Sequence, residues 1–208
     1  MTAIVRPADA GRPTLLLFHG RGGTEHDLLA VADAVAPGWG VIAPRGPEIE
    51  GGGYAWFRHH AIGVPVPESL DVRLEETAEV VAGLAREGGV TTPMVVMGFS
   101  NGGMMAGSLG AARPDLIGGV VLLCSTYPLP DHVYAMGGLN GTPVLALAGG
   151  ADPFHPPAVH EAGVAAYRHA NAAVCEHTDN SGAHGVTPEH ARILKKWLED
   201  WESGDLTD

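Results

Sequence analysis

The pentapeptide Gly98-Phe99-Ser100-Asn101-Gly102 constrains this chain more than any other stretch. Before it runs Pro93-Met94-Val95-Val96-Met97, short, apolar and partly β-branched. After it runs Gly103-Met104-Met105-Ala106-Gly107-Ser108-Leu109, which can wind as a helix. A serine inside G-x-S-x-G, between a buried strand and a helix, is the nucleophile-elbow pattern. The turn is so tight that the residues two before and two after the serine must be small. Glycine supplies that and tolerates the backbone angles the turn imposes. The hydroxyl then projects above the sheet, where the helix N-terminus favours developing negative charge. A chain with 30 glycines produces some G-x-S-x-G by chance, so the pattern needs partners elsewhere.

The flanking pattern is consistent with such a fold. Thr14-Leu15-Leu16-Leu17-Phe18 reads as a strand buried on both faces, Gly40–Ala43 and Thr142–Ala148 as further short strands, Leu116–Leu123 as containing another, and 173–176 as the last. Ala3-Ile4-Val5 fits an edge strand. Thr24 reads as an N-cap with Asp27 in the first turn of a helix that Pro37-Gly38 stops. Leu70, Leu74, Ala78, Val81 and Ala85 make an amphipathic helix over 69–87. Further helices are expected after Ser100, over about 157–170, and after the strong Thr187-Pro188 start. Residues 44–67 read as a long irregular loop, ordered by Tyr54, Trp56 and Phe57 over the mouth of the sheet. Strands alternating with helices predict an α/β domain over 1–208, with a mainly parallel central sheet.

Ligands of such sheets bind outside the carboxyl ends of the strands. His19, Ser100, the 124–136 loop, Asp152 and His184 all follow predicted strands. A serine hydroxyl needs a base to take its proton and an acid to orient that base. Among eleven histidines, His184 is best placed, between the last strand and the last helix, with His177 and His155 as alternatives. Asp152 directly follows a strand, and Asp131 and Asp179 are alternatives in looser loops. An oxyanion needs two N–H donors; Asn101 should offer one and the loop 19–23 the other, with Arg21 favoured over Gly22. That glycine loop fails as a dinucleotide fingerprint because Glu25 stands where glycine is needed. It fails as a phosphate loop because no lysine is near. Trp56, Phe57, Tyr127, Leu129, Met136 and Phe154 are candidates for an apolar substrate pocket.

Charge and cysteine content exclude several classes. A formal net charge of −12 argues against nucleic acid and anionic membrane surfaces, and leaves a small-molecule substrate open. Cys124 and Cys175, without C-x-x-C spacing, read as reduced core residues, and the histidines show no metal-site spacing. No signal-peptide pattern or bilayer-length apolar run is visible, so a cytoplasmic protein without stable membrane insertion is expected. A homodimer is compatible with the sequence, and neither cofactor nor metal is expected.

Together, Leu16-Leu17-Phe18-His19-Gly20-Arg21-Gly22-Gly23, Ala43-Pro44-Arg45-Gly46-Pro47, Trp56-Phe57, Gly98-Phe99-Ser100-Asn101-Gly102-Gly103 and Ala183-His184-Gly185 resemble the phospholipase/carboxylesterase branch of the α/β-hydrolases. That branch includes acyl-protein thioesterases and bacterial carboxylesterases. The resemblance covers about residues 13–200. It implies an α/β-hydrolase core with no large cap domain and Ser100, Asp152 and His184 as a triad. The family name does not fix a substrate, and the expectation for this chain is cleavage of carboxylic esters of small or medium acyl groups through an acyl-enzyme. A thioesterase or lysophospholipase would use the same residues, and a non-catalytic binding protein would keep the fold alone. Arg21 and Asn101 depart from the apolar residue and Gln that related enzymes often carry there. Both still contribute backbone N–H groups, so the departures bear on substrate preference.

Overall fold

Alternation within the apolar run at 14–18 sets the layering. A computed structural model describes residues 1–90, 92–127, 129, 132 and 138–206. In it β2 (Thr14–Phe18) is buried throughout. Leu15 and Leu17 face one core, shared with Ala32 and Val35 of α1 (Leu29–Val35) and with Leu194, Trp197 and Leu198 of α5 (Pro188–Ser203). Leu16 and Phe18 face the other, shared with α2 (Pro67–Glu87), α3 (Asn101–Ala112) and Tyr167 of α4 (Pro157–His169). A strand apolar on both faces is stable only between two helical layers, and that is its place here.

Around β2 stand β1 (Ala3–Arg6), β3 (Gly40–Pro44), β8 (Met94–Phe99), β9 (Ile117–Leu123), β10 (Pro143–Gly149) and β11 (Ala173–Asp179). Their order is β1-β3-β2-β8-β9-β10-β11. Every pairing is parallel except β1 with β3, the expected N-terminal edge strand. This is the mainly parallel α/β sheet that the strand pattern predicts. Among the described residues, no helix is long and apolar enough to cross a membrane.

Two local expectations need correction. Helix α1 starts at Leu29, not after Thr24. Glu25 turns inward and is only 4% exposed, gripped by Arg45 through Nε at 2.7 Å and Nη2 at 2.6 Å. Those hydrogen bonds hold its carboxyl down to about 2. The Thr24 hydroxyl meanwhile bonds the Asp27 carboxylate at 2.9 Å. The segment therefore follows its side-chain bonds rather than a helical path. The stretch 44–67 is not irregular either. It holds two small antiparallel hairpins, β4 (Glu48–Glu50) with β5 (Gly53–Ala55), and β6 (His59–Ala61) with β7 (Val64–Pro65). The Thr187 start is capped as expected, with His190 in the place a Glu usually fills in a capping box.

Close backbone approach explains the glycines of the elbow. A Cβ on Gly98 would run into the Gly102 carbonyl, and one on Gly102 into the carbonyls of Phe18 and His19. Backbone cannot yield as a side-chain tip can. Gly102→Ala should therefore cost about 3 kcal/mol or more, roughly 6–12 °C in Tm for a chain of this size. Gly83→Ala, in open space on α2, should leave Tm unchanged or raise it. Thermal melts of the two variants check both expectations.

Candidate active site

Ser100 sits where β8 meets α3, at φ 51° and ψ −119°. A side-chain-bearing residue reaches that region only when its surroundings hold it there. Here the holding is visible on both sides of the residue. The Ser100 N–H donates to the Leu123 carbonyl at 3.0 Å, and the Ser125 hydroxyl donates to the Ser100 carbonyl.

Asp152 and His184, 32 residues apart, meet because two loops zip together. β10 and β11 run in register to Gly149 and Asp179. Beyond the sheet, the Gly150 N–H donates to the Asp179 carbonyl at 2.7 Å, and the Ala151 N–H to the Gly182 carbonyl at 2.9 Å. His184 Nδ1 then lies 2.6 Å from Asp152 Oδ2, and His184 Nε2 lies 3.0 Å from Ser100 Oγ. A carboxylate only accepts, so Nδ1 carries the proton and Nε2 presents its lone pair to the serine hydroxyl. The other carboxylate oxygen, Oδ1, accepts from the N–H groups of Phe154 at 2.8 Å and His155 at 3.0 Å. Burial by itself pushes the Asp152 carboxyl up. The His184 bond and the two amides outweigh it and hold the carboxyl below its ordinary value.

The alternative bases and acids lie elsewhere. His177 faces Glu189 at 3.2 Å. His155 is fully buried against Tyr127, and burial pushes its imidazole down to about 4. Asp179 accepts from Ser181, and Asp131 lies outside the described residues. Cys124 is buried beside the site, with burial pushing its thiol up to about 11. Cys175 is exposed on β11, against the expectation of a second core thiol. Cys124, Asp152 and His184 form the group of metal-capable side chains found among the described residues, with ligand atoms within 4.8 Å of one another. A metal there would have to displace the thiol proton and the His184–Asp152 bond, so these residues fit a proton relay better than a metal centre.

The loop 19–23 is fixed from three directions. His19 Nδ1–H donates to the Gly20 carbonyl at 2.7 Å, and its Nε2 accepts from the Gly46 N–H at 2.9 Å. Burial lowers the His19 pKa, which keeps the neutral ring this pattern needs. Trp56 Nε1 donates to the His19 carbonyl at 2.9 Å, and Gly22 and Gly23 exchange backbone bonds with Tyr54. The Asn101 side-chain carbonyl accepts from the Trp56 N–H at 2.8 Å. The backbone N–H groups of Arg21 and Asn101 have no acceptor among the described residues. Sequence reasoning missed His19 as this hub and missed the Asn101 carboxamide as an anchor. The available signal was a polar residue directly after the apolar run at 15–18.

A cavity of about 200 Å³ opens over Ser100. Phe57, Tyr127 and Phe154 line it, and Arg21, His59, Ile62, Val64 and Met104 join them. Trp56 does not: it is fully buried, with its ring centroid 4.2 Å from that of Phe18 and its N–H committed to His19. Leu129 is also buried in the core rather than in the cavity wall. Both are apolar enough that the core claims them first. Met136 lies outside the described residues.

Comparison with known proteins converges on one group. The model of the phospholipase/carboxylesterase family matches residues 1–202. A Bacillus cereus carboxylesterase of solved structure is 31% identical, with TM-score 0.87 over 96% of this chain and 94% of that one. A Mesorhizobium loti carboxylesterase is 27% identical, with TM-score 0.84 over 91% of this chain and 89% of that one. MhqD of Bacillus subtilis (strain 168), itself only provisionally named a hydrolase, is 29% identical over 89% of this chain and 92% of its own length.

Proposed function

We propose a mechanism for a chain that belongs to the phospholipase/carboxylesterase family and is a carboxylesterase-type hydrolase of the α/β-hydrolase fold: Ser100 opens carboxylic esters of small or medium acyl groups through an acyl-enzyme. The observation that carries it is the unbroken hydrogen-bond chain from Ser100 Oγ to His184 at 3.0 Å and from His184 to Asp152 at 2.6 Å. In that chain each donor already faces its acceptor, so proton transfer needs no rearrangement.

His184 Nε2 takes the Ser100 proton as Oγ bonds to the ester carbonyl carbon. The Asp152 carboxylate stabilises the resulting imidazolium. The carbonyl electrons move onto oxygen, and the Arg21 and Asn101 N–H groups donate hydrogen bonds to that oxyanion. His184 then protonates the leaving alcohol as the C–O bond breaks. A water, deprotonated by the same nitrogen, attacks the acyl-enzyme and restores Ser100. Each preorganised oxyanion donor typically contributes about 3–4 kcal/mol to the barrier reduction. The cavity, about 200 Å³, is below the roughly 300–1,000 Å³ of drug-sized sites, which favours short acyl groups.

Labelling with a fluorophosphonate tests the reading. The expected result is one adduct, on the peptide that contains Ser100, lost when an excess of a short-chain p-nitrophenyl ester competes. An unlabelled Ser100, or an adduct on another residue, would overturn it.

A further inference from the structure

Arg21 reaches into the cavity that holds Ser100 and His184. It is the one Lys or Arg among the described residues lining that cavity. Its guanidinium bonds the His59 ring at Nε2, so it leans against an imidazole nitrogen rather than a carboxylate. Among the described residues the nearest acid is Glu50, 3.9 Å from Nη1, and both side chains are more than 40% exposed. Nε and Nη2 have no acceptor among the described residues. A guanidinium is always charged and offers five N–H donors in a planar fork. Most of that fork is free here.

The rest of the wall gives the charge its meaning. Phe57, Ile62, Val64, Met104, Tyr127 and Phe154 are apolar. Gly63, at the tip of the β6–β7 hairpin, sits so close to the Tyr127 ring that a Cβ there would strike it, which closes the apolar side. The cavity therefore has an apolar flank and one cationic end. Arg21 also lies on the loop whose backbone N–H faces the oxyanion in the proposed mechanism, so a group bound by its side chain stands near the scissile carbonyl. The chain as a whole carries a net charge of −12, which repels anions at long range. An anionic substrate must therefore be held by a local cation.

We infer that the Arg21 side chain is an anion-binding subsite, and that this hydrolase selects esters carrying a carboxylate a few bonds from the scissile carbonyl. The inference rests on Ser100 as the nucleophile. It adds a substrate class to that reading.

Matched pairs of esters test it through the ratio of kcat/KM for the carboxylate ester to that for its neutral counterpart. Monoethyl glutarate against ethyl pentanoate places the carboxylate on the acyl side. 3-Butyryloxybenzoate against phenyl butyrate places it on the alcohol side. Arg21→Leu should lower the ratio about tenfold or more in at least one pair, since charge-assisted bidentate bonds are the strong ones. Arg21→Lys, which keeps the charge and loses the fork, should fall between. Glu50→Gln should raise the ratio about two- to threefold by removing a competing carboxylate. Raising the salt from about 50 mM to about 500 mM should lower it in the wild type.

An unchanged ratio in both pairs for Arg21→Leu, or an equal loss on neutral and anionic esters, overturns the subsite and makes Arg21 only a clamp on the hairpin. Glu50→Gln leaves the loop intact, so a flat or falling ratio there overturns it even if Arg21→Leu does not fold. A wild type that turns over neither member of any pair would instead overturn the serine-hydrolase reading.

Discussion

Ser100→Ala is expected to lower kcat for a short-chain p-nitrophenyl ester by about 10⁶-fold, with a Tm within about 2 °C of the wild type. The activity loss follows from the bond that must form: without Oγ there is no acyl-enzyme, and what remains is whatever the oxyanion donors and binding supply to attack by water. The small stability change follows from what the hydroxyl touches. Its hydrogen-bond partner is His184, on a rim open to the cavity, so removing it leaves no sealed polar group behind. Alanine keeps the Cβ, so the strain of the positive φ is neither relieved nor worsened. Ser100→Gly separates the two effects. It should be as inactive and more stable by up to about 1 kcal/mol, because glycine enters that backbone region without cost. Retention of more than a few per cent of wild-type kcat in Ser100→Ala would remove Ser100 from the mechanism. Circular-dichroism melts and ester kinetics on the three proteins provide the comparison.

What the sequence made legible was what depends on period and on small spacings. The run at 15–18 is apolar at every position, and a strand with a core on each face is what such a run becomes. The glycines around Ser100 mark a close backbone crossing, and the structure has that crossing. Asp152 and His184 could be placed at strand ends, and parallel strands deliver their ends to one side of a sheet. The interactions between segments were not legible. Nothing local in Glu25 announces that Arg45, 20 residues on, will draw it inward and delay a helix. Nor does the aromatic pair Trp56-Phe57 say which ring props the loop and which lines the cavity. That division follows from Trp56 carrying an N–H that the His19 carbonyl can accept, while Phe57 has none. The two hairpins in 44–67 were hidden for a related reason. They are too short to show a two-residue period, and the first of them is anchored by backbone bonds that Tyr54 makes to the loop 19–23.

Asp152→Asn should slow kcat by about 10⁴-fold while leaving KM and Tm close to wild type. The substitution is isosteric, so the size of the loss depends on which way the amide turns. Two backbone N–H groups, from Phe154 and His155, point at the position of Oδ1 at 2.8 and 3.0 Å. An amide nitrogen there would set donor against donor twice. The carboxamide oxygen must take that position, and the NH₂ must face His184 Nδ1, where the wild-type carboxylate accepts at 2.6 Å. His184 can then bond the amide only through an unprotonated Nδ1, so its proton moves to Nε2. That nitrogen now offers a donor to Ser100 and cannot take its proton. Every atom stays within a few tenths of an ångström of its wild-type place, and the base is disabled by tautomer alone. An imidazole ¹⁵N NMR spectrum of His184 in the variant should show the proton moved to Nε2. His184→Ala, which removes the base outright, should be no more active than Asp152→Asn on the same ester. If Asp152→Asn instead keeps turnover within tenfold of wild type, Asp152 does not set the tautomer of His184, and the acid must be sought elsewhere.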